Sequence, residues 1–400
     1  MIPLDEARAH VLDRVAPLAP VAVGIDEALG LVVAEAVTAS EAVPPFVNTA
    51  MDGYAVRAAD TRGAPVTLTV VGTVAAGDDP TVVVGPGQAA RIMTGAPLPD
   101  GADAVVMVEL TRADDEAGTV VVETSVEPGN HLRGVGEDVQ PGDRVIAAGT
   151  ELRPGHLGVL ASVGTFTVVA HPRPRVGVVS TGDELVDGPG PLRRGQIRDS
   201  NRRTLLALCA RAGFEPVDLG LARDDPAALK EVFGRGLETC DAVLSSGGVS
   251  MGAFDYVKVV LDEIADMRWM QVAIKPAKPL AFGVANGVPV FGLPGNPVSS
   301  MVSFELFARP ALRRLAGHSD IDRRRVRAVA PEGLTRRRDG KTHFLRVVGG
   351  PDETGRWTVR SAGGQGSHQL SVMAEATALA VVPDGEGVEP GGEVEIIPLD

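Results

Sequence analysis

Residues 241–278 hold the side chains and backbone best suited to binding an anion. They read DAVLSSGGVSMGAFDYVK, then a segment of helical spacing, then QVAIKPAKP. The apolar run 241–244 reads as a short buried strand. Ser245, Ser246, Gly247, Gly248, Ser250 and Gly252 then leave the main chain nearly bare, ahead of a segment, 254–264, with apolar residues at helical spacing. Strand, bare loop and helix make an anion cradle, because N–H groups in such a loop and at a helix start have no internal partner. Asp255 and Lys258 follow, and then Lys275 and Lys278, three apart in a loop pinned by prolines. The chain has five lysines against thirty-three arginines, and three of the five fall in this stretch. An ammonium is a compact point charge that a guanidinium fork does not replace. These positions therefore read as ones that require lysine, the alternative being surface lysines left over by a preference for arginine.

Such residues need a scaffold that brings them together. From Pro174 onward strand-like and helix-like segments alternate: RVGVVS, a helix from Ser200 or Asn201 to Gly213, FEPVDLG, a helix from Asp225-Pro226 to about Leu237, DAVLSS, a helix, MQVAIK, LAFGV, an Asn286-Gly287 hairpin turn, VPVFGL, and a helix from Pro297 to Leu315. That alternation predicts right-handed crossovers and a mostly parallel sheet covered on both faces. In such a sheet ligands bind beyond the carboxyl ends of the strands. Each end reads independently as polar or bare: Thr181, Gly182, Asp183 and Glu184; Arg223, Asp224 and Asp225; the glycine loop; Lys275 and Lys278; Pro294, Gly295, Asn296 and Pro297. Lysines and bare amides suit phosphate, whereas Glu184, Asp224 and Asp255 repel it unless a cation intervenes. Mg²⁺ shared between carboxylates and substrate phosphates resolves that conflict. Asp225 reads as the cap of the helix that begins at Pro226, and Asp224 reads equally as a cap or a ligand. For Glu184 and Asp255 the alternative is an ordinary solvated carboxylate.

The remainder of the chain bounds the function. Four hundred residues predict two to four domains. With 44% apolar and 22% charged residues the composition is that of a soluble globular protein. A net charge of -14 argues against general nucleic-acid binding, so attraction for an anionic ligand must be local. The two cysteines, Cys209 and Cys240, sit in apolar helix-end contexts outside any CxxC pair, and the seven histidines form no metal-binding spacing. The N-terminus lacks the basic start and apolar core of a secretory signal, and no run reaches the length of a membrane span, so a cytoplasmic location is expected. Residues 4–15 carry a helical apolar face, 26–29 a helical turn, and helical spacing returns at 154–163, which suggests that this return segment completes an N-terminal domain. VPPFVNTAMDGYAV reads as a loop. From about Val56 to Val145, TLTVVGTV, ARIMTG, DAVVMVEL and TVVVET are short strands, most simply a small barrel or sandwich; a second all-β region follows Gly317.

NTAMDGYAV, RIMTGAPLP, GEDV, STGDEL, DSN, SSGGVSMGAFDYV, IKPAKP, GLPGNPVS and GSHQLS, in that order, resemble the molybdopterin molybdenumtransferases of the MoeA and gephyrin E-domain type, over nearly the whole chain. The resemblance implies an α/β multidomain protein with four parts. These are an N-terminal helical linker domain at 1–45 completed by 146–173, an inserted β-rich domain at 46–145, a central doubly wound molybdopterin-binding domain at 174–318, and a C-terminal β-barrel-like domain at 319–400. It implies a homodimer with shared active sites that inserts molybdate into the dithiolene of adenylylated molybdopterin, releasing AMP with the help of Mg²⁺. Carried over by motif, Asp52, Thr94, Asp138, Glu184, Asp224 and Asp255 are its catalytic positions, with Glu184, Asp224 and Asp255 toward the metal. Ser246, Gly247, Gly248, Ser250, Lys275, Lys278, Pro294, Pro297, Arg346 and Ser367 would face the anion and the pterin, while Asp52, Thr94 and Asp138 would act from the second subunit. By itself Thr94 or Ser367 reads as a turn hydroxyl and Arg346 as a surface arginine. Two positions depart from the pattern. Gln271 stands where relatives can carry a further lysine, and Ala277 replaces a frequent glycine, which matters little provided its φ is negative. The resemblance also offers the molybdopterin adenylyltransferase as a protein partner; the competing readings are a molybdopterin adenylyltransferase itself, against which the extra β regions count, and a scaffold of the gephyrin kind.

Overall fold

The computed structural model describes residues 1–248 and 256–399. Two compact units result: Met1–Val21 with Gly30–Ala34 and Ala170–Asp400, and Ala22–Leu29 with Glu35–Val169. No helix among the described residues is long and apolar enough to cross a membrane.

The first unit opens with helix α1 (Leu4–Leu12), which buries Ala7 and Val11, one turn apart on the face that the sequence spacing defined. Its central sheet uses β1 (Arg175–Thr181), β2 (Glu215–Ala222), β3 (Ala242–Ser246), β4 (Asp266–Gln271), β6 (Pro279–Ala285) and β7 (Val288–Leu293), with the two-residue β5 (Ile274–Lys275) lying outside it. The order across this sheet is β2-β1-β3-β7-β6-β4. β1 runs parallel to β2 and β3, and β3 to β7. β6 and β4 return antiparallel on one edge. The β6–β7 turn is Asn286-Gly287 with φ of 51° and 84°, the two positive values that a type I′ hairpin requires. All five residues of β3 are buried, which explains its unbroken apolar and small-residue pattern. Helices α2 (Asn201–Arg211), α3 (Pro226–Thr239), α4 (Tyr256–Ile264) and α5 (Pro297–Ser303) accompany the strands. Asp225 caps α3, its Oδ1 accepting from the N–H groups of Ala227 and Ala228 at 3.1 and 2.9 Å.

Beyond α5 the helix widens into a π turn at Phe304–Ala308 and continues as α6 (Arg309–Leu315). Pro310 has no N–H to give the carbonyl of Leu306, four residues back. The guanidinium of Arg8 on α1 donates to that carbonyl instead, fastening α1 to the widened turn. The C-terminal strands β8 (Val326–Ala330), β9 (Thr342–Pro351), β10 (Trp357–Ser361), β11 (Ala378–Val382) and β12 (Gly392–Pro398) close into a five-stranded barrel in the order β9-β10-β8-β12-β11 and back to β9. One apolar core joins α1, the sheet and this barrel through residues such as Val11, Leu244, Phe291, Phe344 and Leu379.

The lysine loop between β4 and β6 is held on two sides. Ile2 donates its N–H to Gln271 O and accepts from the Ala273 N–H, both at 2.8 Å. β5 pairs in parallel with β9, Lys275 opposite His343. Ala277 in this loop has φ of 73°, so the condition under which alanine substitutes freely for glycine is not met, and its backbone carries a strain of about 1–2 kcal/mol.

In the second unit the expected strands form at Val66–Val74, Gln88–Ile92, Ala104–Met107 and Thr119–Val122. They lie in a single six-stranded mixed sheet rather than the expected barrel or sandwich. Gly53–Val56, read from sequence as loop, is an interior strand of that sheet with all four residues buried. A strand buried on both faces lacks the alternation that marks a half-buried one. The helical turn near Asp26 is a 3₁₀ turn, Ile25–Glu27, and the helical return segment is Pro154–Ser162.

If Ile2 anchors the lysine loop, Ile2→Pro removes one of its two hydrogen bonds, a loss of about 1 kcal/mol. Deuterium exchange across 271–278 should then accelerate several-fold with the rest of the sheet unchanged; identical exchange in the two proteins would refute the anchoring.

Candidate active site

In the first unit the strand register puts the ends of the parallel strands level. Ser180 pairs with Ser246, and Ser246 with Leu293. Because β6 runs antiparallel to β7, with Ala281 opposite Gly292, Pro279 and the preceding Lys275–Lys278 loop emerge at this same edge. Gln271 pairs with Pro279, so the loop's other end is there too.

Each turn on this edge is shaped by its glycines. Gly182 has φ of 147°, and a β-carbon on it would lie 2.6 and 2.8 Å from the carboxylate oxygens of Glu184, so that side chain folds back over a bare backbone. Gly182 donates its N–H to Ala222 O at 3.3 Å, and Asp224 donates its N–H to Asp183 Oδ1 at 3.4 Å, which ties the turns after β1 and β2. Gly247 has φ of 104° and donates its N–H to Leu293 O at 3.1 Å. A β-carbon on Gly247 would lie 2.7 Å from Thr181 O and 2.9 Å from Thr181 Oγ1. Gly295 faces Gly247 across a gap in which its β-carbon would come within 3.9 Å of the Gly247 Cα. Backbone thus meets backbone at the centre of the rim. The Thr181 hydroxyl is buried there without a hydrogen-bond partner among the described residues.

Charge surrounds this centre. Lys275 and Lys278 are exposed, and neither forms a salt bridge among the described residues. Arg346 on β9 is 1% exposed. Its Nη2 donates to the carbonyls of Gly364 and Gly366 at 3.3 and 3.1 Å, its Nε has no partner, and no carboxylate lies against it among the described residues. Burial pushes its pKa down to about 10, so it stays charged at neutral pH. Ser367 O accepts from the Val298 N–H at 3.1 Å, which brings the 364–367 loop onto the first turn of α5, next to Pro297. Pro294 leads from β7 toward the start of α5.

The described part of the rim therefore gathers Glu184, Asp224, Ser246, Gly247, Gly248, Lys275, Lys278, Pro294 and Pro297, with Ser367 and Arg346 joined through α5. Ser250 and Asp255 lie outside the described residues. Among the described residues no three His, Cys, Asp or Glu side chains approach closely enough to hold a metal. The donors available are exposed carboxylates, Glu184 and Asp224, the oxygen chemistry that suits a hard cation. Sequence reasoning read Thr181 as one of the polar strand ends and Asn201 as a helix start within the DSN motif, and gave neither a role in the site.

Asp52, Thr94 and Asp138 belong to the second unit. Thr94 donates both its N–H and its hydroxyl to Asp52 Oδ1, at 2.6 and 2.8 Å. The amide first and the hydroxyl second hold the Asp52 carboxyl below the usual carboxylate range. Asp138 is exposed, its N–H donating to Val43 O at 3.0 Å, and no hydrogen bond links it to the Asp52–Thr94 pair.

Three family models cover the chain: MoeA N-terminal region (domain I and II) at residues 2–164, probable molybdopterin binding domain at 177–314, and MoeA C-terminal region (domain IV) at 327–399. A molybdopterin molybdenumtransferase of Haemophilus influenzae is 37% identical over 400 residues, covering 99% of this chain and 98% of that one. Molybdopterin molybdenumtransferase 2 of Mycobacterium tuberculosis is 39% identical over 392 residues, 95% of each chain. A molybdopterin biosynthesis MoeA protein from Pyrococcus horikoshii superposes with a TM-score of 0.80 at 32% identity, covering 100% of this chain and 99% of that one.

Two measurements test the geometry. Gly247→Ala forces a left-handed φ on a residue with a β-carbon and drives that carbon into Thr181, costing about 1–3 kcal/mol; wild-type stability would refute the close approach. A carboxylate with a lowered folded pKa stabilises its turn above the ordinary value and loses that contribution as pH falls through the lowered one. Thr94→Val should raise the Asp52 titration midpoint, followed by carboxyl ¹³C NMR, only part of the way, because the amide contact survives. An unmoved midpoint would show that the hydroxyl is not a partner.

Proposed function

The chain belongs to the MoeA family of molybdopterin molybdenumtransferases, and on that premise we propose that it inserts molybdate into the dithiolene of adenylylated molybdopterin with release of AMP, as a step in molybdenum cofactor biosynthesis. The observation that carries this reading is the rim of the α/β unit, where bare backbone adjoins exposed carboxylates, a buried hydroxyl and two lysines, the hydroxyl unbonded and the lysines without ion-pair partners among the described residues. Both substrates are oxyanions, and lysines with backbone N–H groups bind such groups without needing a nucleophile.

Lys275 and Lys278 hold phosphate or molybdate oxygens, with Ser246, Gly247, Gly248 and Ser250 lining the cradle. Arg346 and Ser367 face the anion, and Pro294 and Pro297 the pterin. Glu184, Asp224 and Asp255 are the residues that would hold Mg²⁺, which supplies charge neutralisation at the phosphoryl link to AMP. The same carboxylates also orient the water that opens that link. Asp52, Thr94 and Asp138 complete the site from the partner subunit of a homodimer, in a cytoplasmic protein.

Purified protein given adenylylated molybdopterin and Mg²⁺ should release AMP only when molybdate is added, and without ATP. Conversion of molybdopterin and ATP to adenylylated molybdopterin and pyrophosphate would instead make it an adenylyltransferase. Glu184→Gln should lower kcat by about 100-fold or more, and Lys275→Ala should raise KM for the anionic substrates by about tenfold. Full cofactor synthesis by folded Lys275→Ala and Asp52→Ala proteins would turn the reading toward a scaffold.

A further inference from the structure

Asn201, the first residue of α2, sits where three strand ends meet. Its Nδ2 donates to Ser246 Oγ at 2.8 Å and to the carbonyl of Gly295 at 2.7 Å. A carbonyl only accepts, so the amide orientation is fixed with nitrogen inward, and both of its hydrogens are committed. The residues behind it are braced. Asp199 accepts from the Ser180 hydroxyl at 2.9 Å, the Arg202 N–H at 3.2 Å and Arg202 Nε at 2.9 Å. The remaining guanidinium nitrogens of Arg202 go to Asp187 and Asp218. Ser180, Asp199 and Arg202 are all buried, and such a satisfied network leaves the start of α2 little freedom.

The consequence falls on Ser246. A hydroxyl that accepts from a fixed donor keeps its own hydrogen for a different acceptor, and Ser246 Oγ donates to no other described residue. Beside it stands the glycine turn whose bare backbone faces Gly295. We propose that Asn201 is a positioning residue for the oxyanion site: it clamps the turns after β3 and β7 together and commits the Ser246 hydroxyl to donating toward a tetrahedral oxyanion, phosphate or molybdate. This rests on the transferase reading above. Among the described residues the side-chain amide of Asn201 donates to these two turns, and Asn201 acts through them.

The chemistry separates this role from simple packing. Asn201→Ala removes the clamp. Asn201→Asp keeps the shape but turns a donor into an acceptor, so it repels the Gly295 carbonyl and captures the Ser246 hydrogen. The test uses the full chain with two readouts: titration calorimetry with inorganic phosphate and with molybdate, and KM and kcat for AMP release. Asn201→Ala should weaken oxyanion binding and raise KM by about tenfold with kcat changed less than about threefold, and Asn201→Asp should weaken binding further. Ser246→Ala should do the same, and adding Asn201→Ala to it should cost less than about threefold more, because the two act as one unit. Unchanged oxyanion affinity in both Asn201 variants, or effects of Asn201→Ala and Ser246→Ala that multiply in full, would overturn the proposal. If Asn201→Asp does not fold, Asn201→Ala and the double variant decide it alone. Wild-type protein that binds oxyanions in an Asn201-dependent manner but shows no molybdate-dependent AMP release would sink the transferase reading and leave the clamp standing.

Discussion

The rim of the central sheet depends on one close approach, that of the main chain at Gly247 to the end of β1 at Thr181. With Ser180, Ser246 and Leu293 level in the register, the chain leaving β3 must pass between two neighbours that end at the same height. It does so with no β-carbon at 247, where one would fall 2.7 Å from the Thr181 carbonyl. The constraint has a chemical consequence. A turn that has given up its side chains can recognise a ligand only through N–H groups, so specificity and charge must come from residues on other elements, as Asn201, Lys275 and Arg346 illustrate.

Those supporting residues answer to the net charge of -14. A protein so acidic repels oxyanions at long range, but at physiological ionic strength that repulsion fades beyond about 8 Å. Local placement then decides. The lysine loop is fastened along its first part, residues 271–275, to Ile2 and β9, so it can present two ammonium groups without relying on carboxylate partners to hold it. Salt bridges elsewhere serve structure: Arg202 is surrounded by Asp187, Asp199 and Asp218, and Glu305 is held by Arg323. Cations that brace the fold are paired, and the two lysines at the rim are exposed.

The strand ends of the α/β unit were readable because apolar runs stop abruptly at Gly, Asp or Pro, and the Asn286-Gly287 hairpin because few other residue pairs accept two positive φ values. Gly53–Val56 was not, since a strand covered on both sides shows no period of two. The open sheet of the second unit was equally hidden, because strand content does not reveal whether a sheet closes on itself. Ala277 was misjudged for a different reason: alanine gives no sign of a left-handed backbone, which the flanking loop imposes. Asn201 could be placed at a helix start, but its role lies in contacts with Ser246 and Gly295, forty-five and ninety-four positions away in the chain.

Arg346 shows why such positions escape sequence reading and still matter. A strand arginine is ordinarily exposed, and from sequence this one reads as a surface residue. Buried at 1% exposure with two carbonyls among the described residues to receive its hydrogens, it keeps its charge while its Nε has no partner among them. Taking a guanidinium from water costs several kcal/mol unless an opposite charge compensates it, and carbonyl dipoles compensate only in part. The barrel thus carries an unfavourable electrostatic feature that an oxyanion arriving beside Ser367 would relieve. Replacement of Arg346 by methionine, which fills similar space without charge, should therefore stabilise the ligand-free protein while abolishing that relief, the opposite of what a purely structural arginine would do.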